Sequence, residues 1–224
     1  VVGILLALEI SEWNEARQDR ARERAYLGRI AAELTQSTAD IQQSIEIAQL
    51  REGLGRLLMD AAVDEAPVRA DPGRFILALH IGAYTFSPAI RSHAFDELRS
   101  VGDLDLIRDK ALLGEITEFY TEVREAAQWS YLRELKQTEY ERRGAGILTY
   151  ALRVEVDESG RKPQVSVEDA LAARARMLER PAFIEWLPGV AHRYDEIQIY
   201  REWLEQARVL HARIAAHLQK GGRP

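Results

Sequence analysis

Between Ile197 and Leu218 the residues Ile197, Tyr200, Leu204, Ala207, His211, Ile214 and Leu218 follow one another at steps of three and four, and all but His211 are apolar or aromatic. With about 3.6 residues per turn, such positions share one helix face. Kept up over three heptads, the pattern specifies a helix that packs lengthwise on other helices. The same spacing returns at Leu27, Ile30, Leu34, Ile41, Ile45 and Ala48, and again at Leu113, Ile116, Tyr120, Val123, Ala127 and Leu135. These runs predict one helix from the N-terminus to about Asp60, loosened near its end by Gly53 and Gly55, and another from about Asp109 to Arg143. Only 14 Gly and 7 Pro interrupt 224 residues, so helices of this length are permitted. The expected fold class is all-α, an antiparallel helical bundle.

Shorter elements fill the intervals. Residues 66–73 read as a turn-rich linker, with Asp71 and Pro72 as cap and first position of a helix over 73–84. Ser87-Pro88 repeats that start signal for a helix reaching Arg99 and stopped by Gly102. Residues 103–107 read as a tight connection. Gly144 and Gly146 end the second long helix, and residues 154–163 read as the most exposed loop, with a weakly supported strand pair. Ser166 to Asp169 reads as a capping box for a helix ending near Arg180-Pro181.

The chain begins VVGILLALEI and turns polar at once. Ten helical residues rise about 15 Å, half of a hydrocarbon core of about 30 Å. Trp13 stands where an interfacial aromatic belongs, followed by charges of alternating sign. Val1, Val2, Ile4, Leu5, Leu6, Leu8, Ile10 and Trp13 are therefore expected to anchor the chain in membrane lipid, with Val1 at mid-membrane. Residues 1–13 would be the C-terminal half of a transmembrane helix, 14–220 a single bundle domain and 221–224 a frayed tail.

Three stretches carry a likeness. GILLALEISEWNEAR, the segment FDELRSVGDLDLIRD (residues 95–109) followed by Glu118-Phe119-Tyr120, and the helix over 200–218 resemble an uncharacterised family of bacterial single-span membrane proteins. Glu9 replaces that family's usual Gln, and Ser11-Glu12 replaces its Asn pair. Arg17, Arg20, Arg22 and Arg24 by themselves favour a cytoplasmic bundle, but the resemblance implies a more basic segment ahead of the span and hence a bundle on the periplasmic side of the inner membrane. It brings no activity and no catalytic residue.

No catalytic or cofactor constellation is legible. The chain has no Cys, which removes disulfides, thiolate ligands and Cys nucleophiles. None of the five histidines, His80, His93, His192, His211 and His217, lies four residues from another, and none has Glu three positions before it. Helical zinc pairs and di-iron Glu-x-x-His motifs are thereby absent. There is no Gly-x-Ser-x-Gly elbow and no phosphate loop. His211 reads as a histidine at the core edge, His93 as partly exposed, and Asp103, Asp105 and Asp109 as a solvated loop. A net charge of -6, with Arg interleaved among acids, argues against nucleic acid as a partner.

Most aromatic residues are expected to fill the core, Trp129, Tyr131 and Tyr194 among them. Phe183, Trp186, Leu187 and Pro188, dense in anchors between two helix breakers, are expected to form a partner surface. Together these features point to a non-catalytic, membrane-anchored accessory subunit without cofactor or metal. It would dock on a larger integral membrane complex, with energy-converting complexes as plausible hosts. The alternative is an extracytoplasmic helical sensory or ligand-binding domain acting through a partner.

Overall fold

The computed structural model describes residues 2–84, 86–128, 130–159 and 162–220, without the side chains of residues 2–8, 10, 127, 130–134, 159 and 194. The chain forms α1 (Val2–Val63), α2 (Ala66–Ala70), α3 (Pro72–Ile81), α4 (His93–Ser100), a 3-10 turn (Asp103–Leu106) and α5 (Lys110–Ala127). There follow α6 (Ser130–Arg143), α7 (Tyr150–Ser159), α8 (Val167–Leu178), α9 (Pro181–Ile184), α10 (Leu187–Ala191) and α11 (Tyr194–Lys220). No strand occurs among the described residues, and the chain is an all-α helical bundle. It divides into two compact units where one domain over 14–220 was expected. The first holds Val1–Gln42, Pro88–Ala127 and Arg201–Pro224; the second holds Gln43–Ser87 and Gln128–Tyr200.

In the first unit the predicted stripes are mostly buried, with Leu113, His211 and Leu218 half-buried. Leu27, Ile30, Leu34 and Ile41 of α1 join Ile116, Phe119, Tyr120 and Val123 of α5 and Leu204, Ala207, Leu210 and Ile214 of α11 in the core. Tyr120 stacks on Phe95 at 4.9 Å and meets Phe119 edge-on at 5.2 Å. Helices α5 and α11 run antiparallel: Arg213 pairs with Glu115 at 3.2 Å, and Gln206 donates to Glu122 at 3.0 Å.

Residues 91–103 run back along α1, joined to it by polar contacts in descending order. Arg91 N donates to Ser37 Oγ and its guanidinium to Asp40, at 3.0 and 2.5 Å. Ala94 N donates to the Glu33 carboxylate at 3.1 Å, Arg29 pairs with Glu97 at 2.6 Å, and Arg22 pairs with Asp103. These contacts explain a departure from expectation. Ser87-Pro88 does not start a helix; α4 begins at His93, because Ser37 takes the Arg91 amide and Glu33 caps the new helix from outside. Gly102 ends α4 as expected, at φ 78.

The second unit packs residues 43–63 of α1 with shorter helices around one core that includes Leu54, Leu58, Phe75, Ile76, Tyr140, Met177, Phe183 and Leu187. Two predicted caps are present: Asp71 Oδ1 accepts from Arg74 N at 3.0 Å, and Ser166 Oγ from Asp169 N at 3.0 Å. The expected linker over 66–73 is instead α2 running into α3. Gly53 and Gly55 do not loosen α1, which continues to Val63. A Cβ on Gly55 would stand 2.6 Å from Ala191 Cα, so the missing side chain is what lets α10 approach.

Other expectations are corrected here. The helix predicted over 109–143 is two helices, α5 and α6, with no Gly or Pro at the break, and Leu135 is 45% exposed where an inner face was expected. Residues 154–159 belong to α7, whose Leu152 and Val156 are buried one turn apart while charged neighbours disguise the stripe. Trp129, residues 160–161 and the tail at 221–224 lie outside the described residues, as do the side chains of Tyr131 and Tyr194.

Candidate functional site

The stretch of α1 from Glu9 to Arg24, with the residues of the first unit beside it, forms the candidate site. Val1 and the side chains of Val2, Ile4, Leu5, Leu6, Leu8 and Ile10 lie outside the described residues. No helix among the described residues is long and apolar enough to cross a membrane. From Glu9 to Arg22 no described side chain is buried. Trp13 is 60% exposed, and the Arg17 guanidinium sits 5.6 Å from its ring centroid. Steps of four, three and four residues place Trp13, Arg17, Arg20 and Arg24 on one flank of α1. Glu12, Glu15 and Asp19 fall on the other flank.

The first buried described side chain of α1 is a carboxylate, Glu23. Its spacing puts it in phase with Leu27, Ile30 and Leu34, on the core face. Arg108 N donates to Glu23 Oε1 at 3.0 Å, and His217 Nε2 stands 3.6 Å from the same oxygen. His217 Nδ1 is 3.8 Å from Asp109 Oδ2. Asp109 caps α5 by accepting from Leu112 N and Ala111 N, at 3.0 and 3.1 Å. The Leu112 amide foremost, with that of Ala111 and the nearby His217 and Arg213, holds its carboxyl below the usual range. Arg24 Nη2 donates to Leu218 O at 3.4 Å. Arg17, Arg20, Ala21, Glu23, Arg24, His217 and Leu218 line a cavity of about 300 Å³. The chemistry on offer is recognition of an anionic group by clustered guanidinium side chains beside a histidine.

Sequence reading missed the Glu23–His217–Asp109 group, whose members come from three separate segments. One signal was present: Glu23 is a charged residue at a core phase of α1, a placement that needs a partner.

The surface expected at residues 183–188 is corrected. Phe183 and Leu187 are each 1% exposed and belong to the core of the second unit. Phe183 packs on Tyr140 with centroids 5.0 Å apart. Trp186 is half-buried with the Arg143 guanidinium 4.7 Å from its ring, and of the four expected anchors Pro188 is the exposed one. The anchors point inward because Pro181 and Pro188 open two one-turn helices, α9 and α10, that close the core.

Of the histidines, His80 faces Asp157 at 3.0 Å, His93 and His192 are exposed, and His211 is half-buried at the core edge. No group of three His, Asp or Glu among the described residues is arranged to hold a metal ion. No family model, no curated protein and no solved structure matches the chain.

Proposed function

We propose that the chain is a non-catalytic accessory subunit, anchored through α1 in the bacterial inner membrane and docked by its bundle, on the periplasmic side, to a larger membrane complex. What carries this reading is the course of α1. The helix runs unbroken from the apolar N-terminal residues past the exposed Trp13 to Glu23, the first described side chain that is buried. Between Trp13 and Glu23 the axis rises about 15 Å, which sets the bundle core clear of the level of the tryptophan. Arg17, one turn beyond Trp13 on the same flank, suits the phosphates of a lipid surface. The resemblance of residues 3–17 and 95–109 to single-span membrane proteins supports the same reading. Docking uses a face other than Phe183 and Leu187, which are in the core.

The test is a mild-detergent extraction of the native full-length protein, followed by size separation and identification of what co-migrates. A fixed set of membrane subunits is expected. Migration alone, or as a small homo-oligomer, removes the accessory role. The second reading, a ligand-binding bundle that acts through a partner, is favoured by one observation, the cavity beside the buried Arg193.

A further inference from the structure

Immediately before α11, Arg193 is 8% exposed and its guanidinium is only partly matched. Nη1 donates to Glu196 Oε2 at 3.0 Å and Nη2 to Gly82 O at 3.3 Å. Its Nε is buried and has no acceptor among the described residues. Arg51 of α1 adds a second guanidinium to this cluster, and its Nε is likewise buried without an acceptor. Burial first, and then the neighbouring charge of Arg193, push the Arg51 pKa down to about 10; Glu196, Tyr200 and Tyr84 act in the opposite sense. Glu196 is committed, since its other oxygen lies 3.2 Å from Tyr200 Oη. The buried Arg193 and the half-buried Arg51 thus set two guanidinium charges against the one Glu196 carboxylate, an imbalance that an anionic ligand offsets.

Beside Arg193 lies a cavity of about 220 Å³, room for about seven waters' worth of ligand. Ala83, Trp186, Val190 and Ile199 give it apolar walls, with Lys136, His192, Asp195 and Glu196 at its polar margin.

We propose that this cavity binds a small organic monocarboxylate, its carboxylate on the Arg193 guanidinium and its apolar body against Trp186 and Val190. One negative charge balances the one excess positive charge of Arg51, Arg193 and Glu196. A phosphate dianion brings a second charge into a site already bordered by Asp195 and Glu196, where like charges repel. The apolar walls select a ligand with a hydrocarbon body over acetate. The inference stands apart from the membrane reading, since an accessory subunit and a sensor can each carry such a site.

The test is calorimetric titration of the full-length protein with butyrate, benzoate, acetate and inorganic phosphate. Saturable binding of butyrate or benzoate is expected, with acetate weaker and phosphate silent. Arg193→Lys keeps the charge and loses the fork, and is expected to weaken binding by about tenfold or more. Because a buried Arg variant risks misfolding, Ile199 supplies a second pair: it lines the cavity yet is 42% exposed. Ile199→Glu should weaken and Ile199→Lys strengthen the binding of either carboxylate. The proposal is overturned if no carboxylate binds saturably, which would leave the cavity to water. Binding of phosphate as tight as benzoate, or equal affinities in the two Ile199 variants, overturns it as well.

Discussion

The two units of this chain are built from the same helical vocabulary and are held together differently. The first relies on long stripes and on side chains that reach across to backbone groups: Ser37 to the Arg91 amide, Glu33 to the Ala94 amide, Glu23 to the Arg108 amide. The second relies on apolar packing among short helices, down to the contact of Gly55 with Ala191. Its side chains also reach across, but to carbonyls: the buried Tyr140 hydroxyl donates to Ala78 and Leu79 at 2.9 and 3.1 Å, Arg174 Nε to Ala61 at 2.6 Å and Arg176 Nε to Ile147 at 2.7 Å. The lesson concerns error tolerance. A unit held by paired polar groups fails where one partner is removed, whereas a unit held by packing fails where volume changes.

The sharpest way to break this contrast is Phe183→Ala. As a core residue packed on Tyr140, Phe183 should cost roughly 3–5 kcal/mol of stability when truncated, read from urea unfolding. A loss within about 0.5 kcal/mol would return it to the surface. Gly55→Ala comes next, with an expected loss of about 1–3 kcal/mol despite the better helix former, since the new methyl meets the Ala191 backbone. In the first unit, Glu33→Ala should cost about 1–2 kcal/mol by uncapping α4, while amide exchange at Ala94 accelerates. Gly114 of α5 offers the opposite sign. A Cβ there meets nothing within 4 Å, so Gly114→Ala should raise stability by about 0.5–1 kcal/mol.

The smallest effect is one of pH. Arg142 and then Arg143 hold the Glu139 carboxyl down to about 2, from an ordinary 4.5. A carboxylate depressed in the folded state stabilises above its unfolded value and loses that contribution as pH falls through the folded one. The stability difference between wild type and Glu139→Gln should therefore be constant above about pH 5 and shrink between about pH 4.5 and 2. A difference that instead grows on acidification would contradict the assignment.

Much of this organisation was legible in residue spacing. The seam of α11 and the stripe of α1 appear where their period puts them, because those helices pack lengthwise and the pattern has room to repeat. The Asp71, Ser166 and Gly102 signals held because capping is local chemistry. What escaped is tertiary. Nothing near Ser92 announces that Glu33, on another helix, caps α4. The break between α5 and α6 carries no Gly or Pro. The ten residues of α7, Tyr150–Ser159, are too few to show a period beneath their charges, so its second half, from Val154, read as loop. At the candidate site Trp13 was legible, but the arginine flank was hidden in charges of alternating sign, and the partners of Glu23, Arg108 and His217, come from segments that only the fold brings together.

The central claim, that α1 carries this bundle on a membrane, is tested most directly by washing native membranes in alkaline carbonate and following the full-length protein. Retention in the pellet with the lipid is the predicted result. Quantitative release into the supernatant would contradict it.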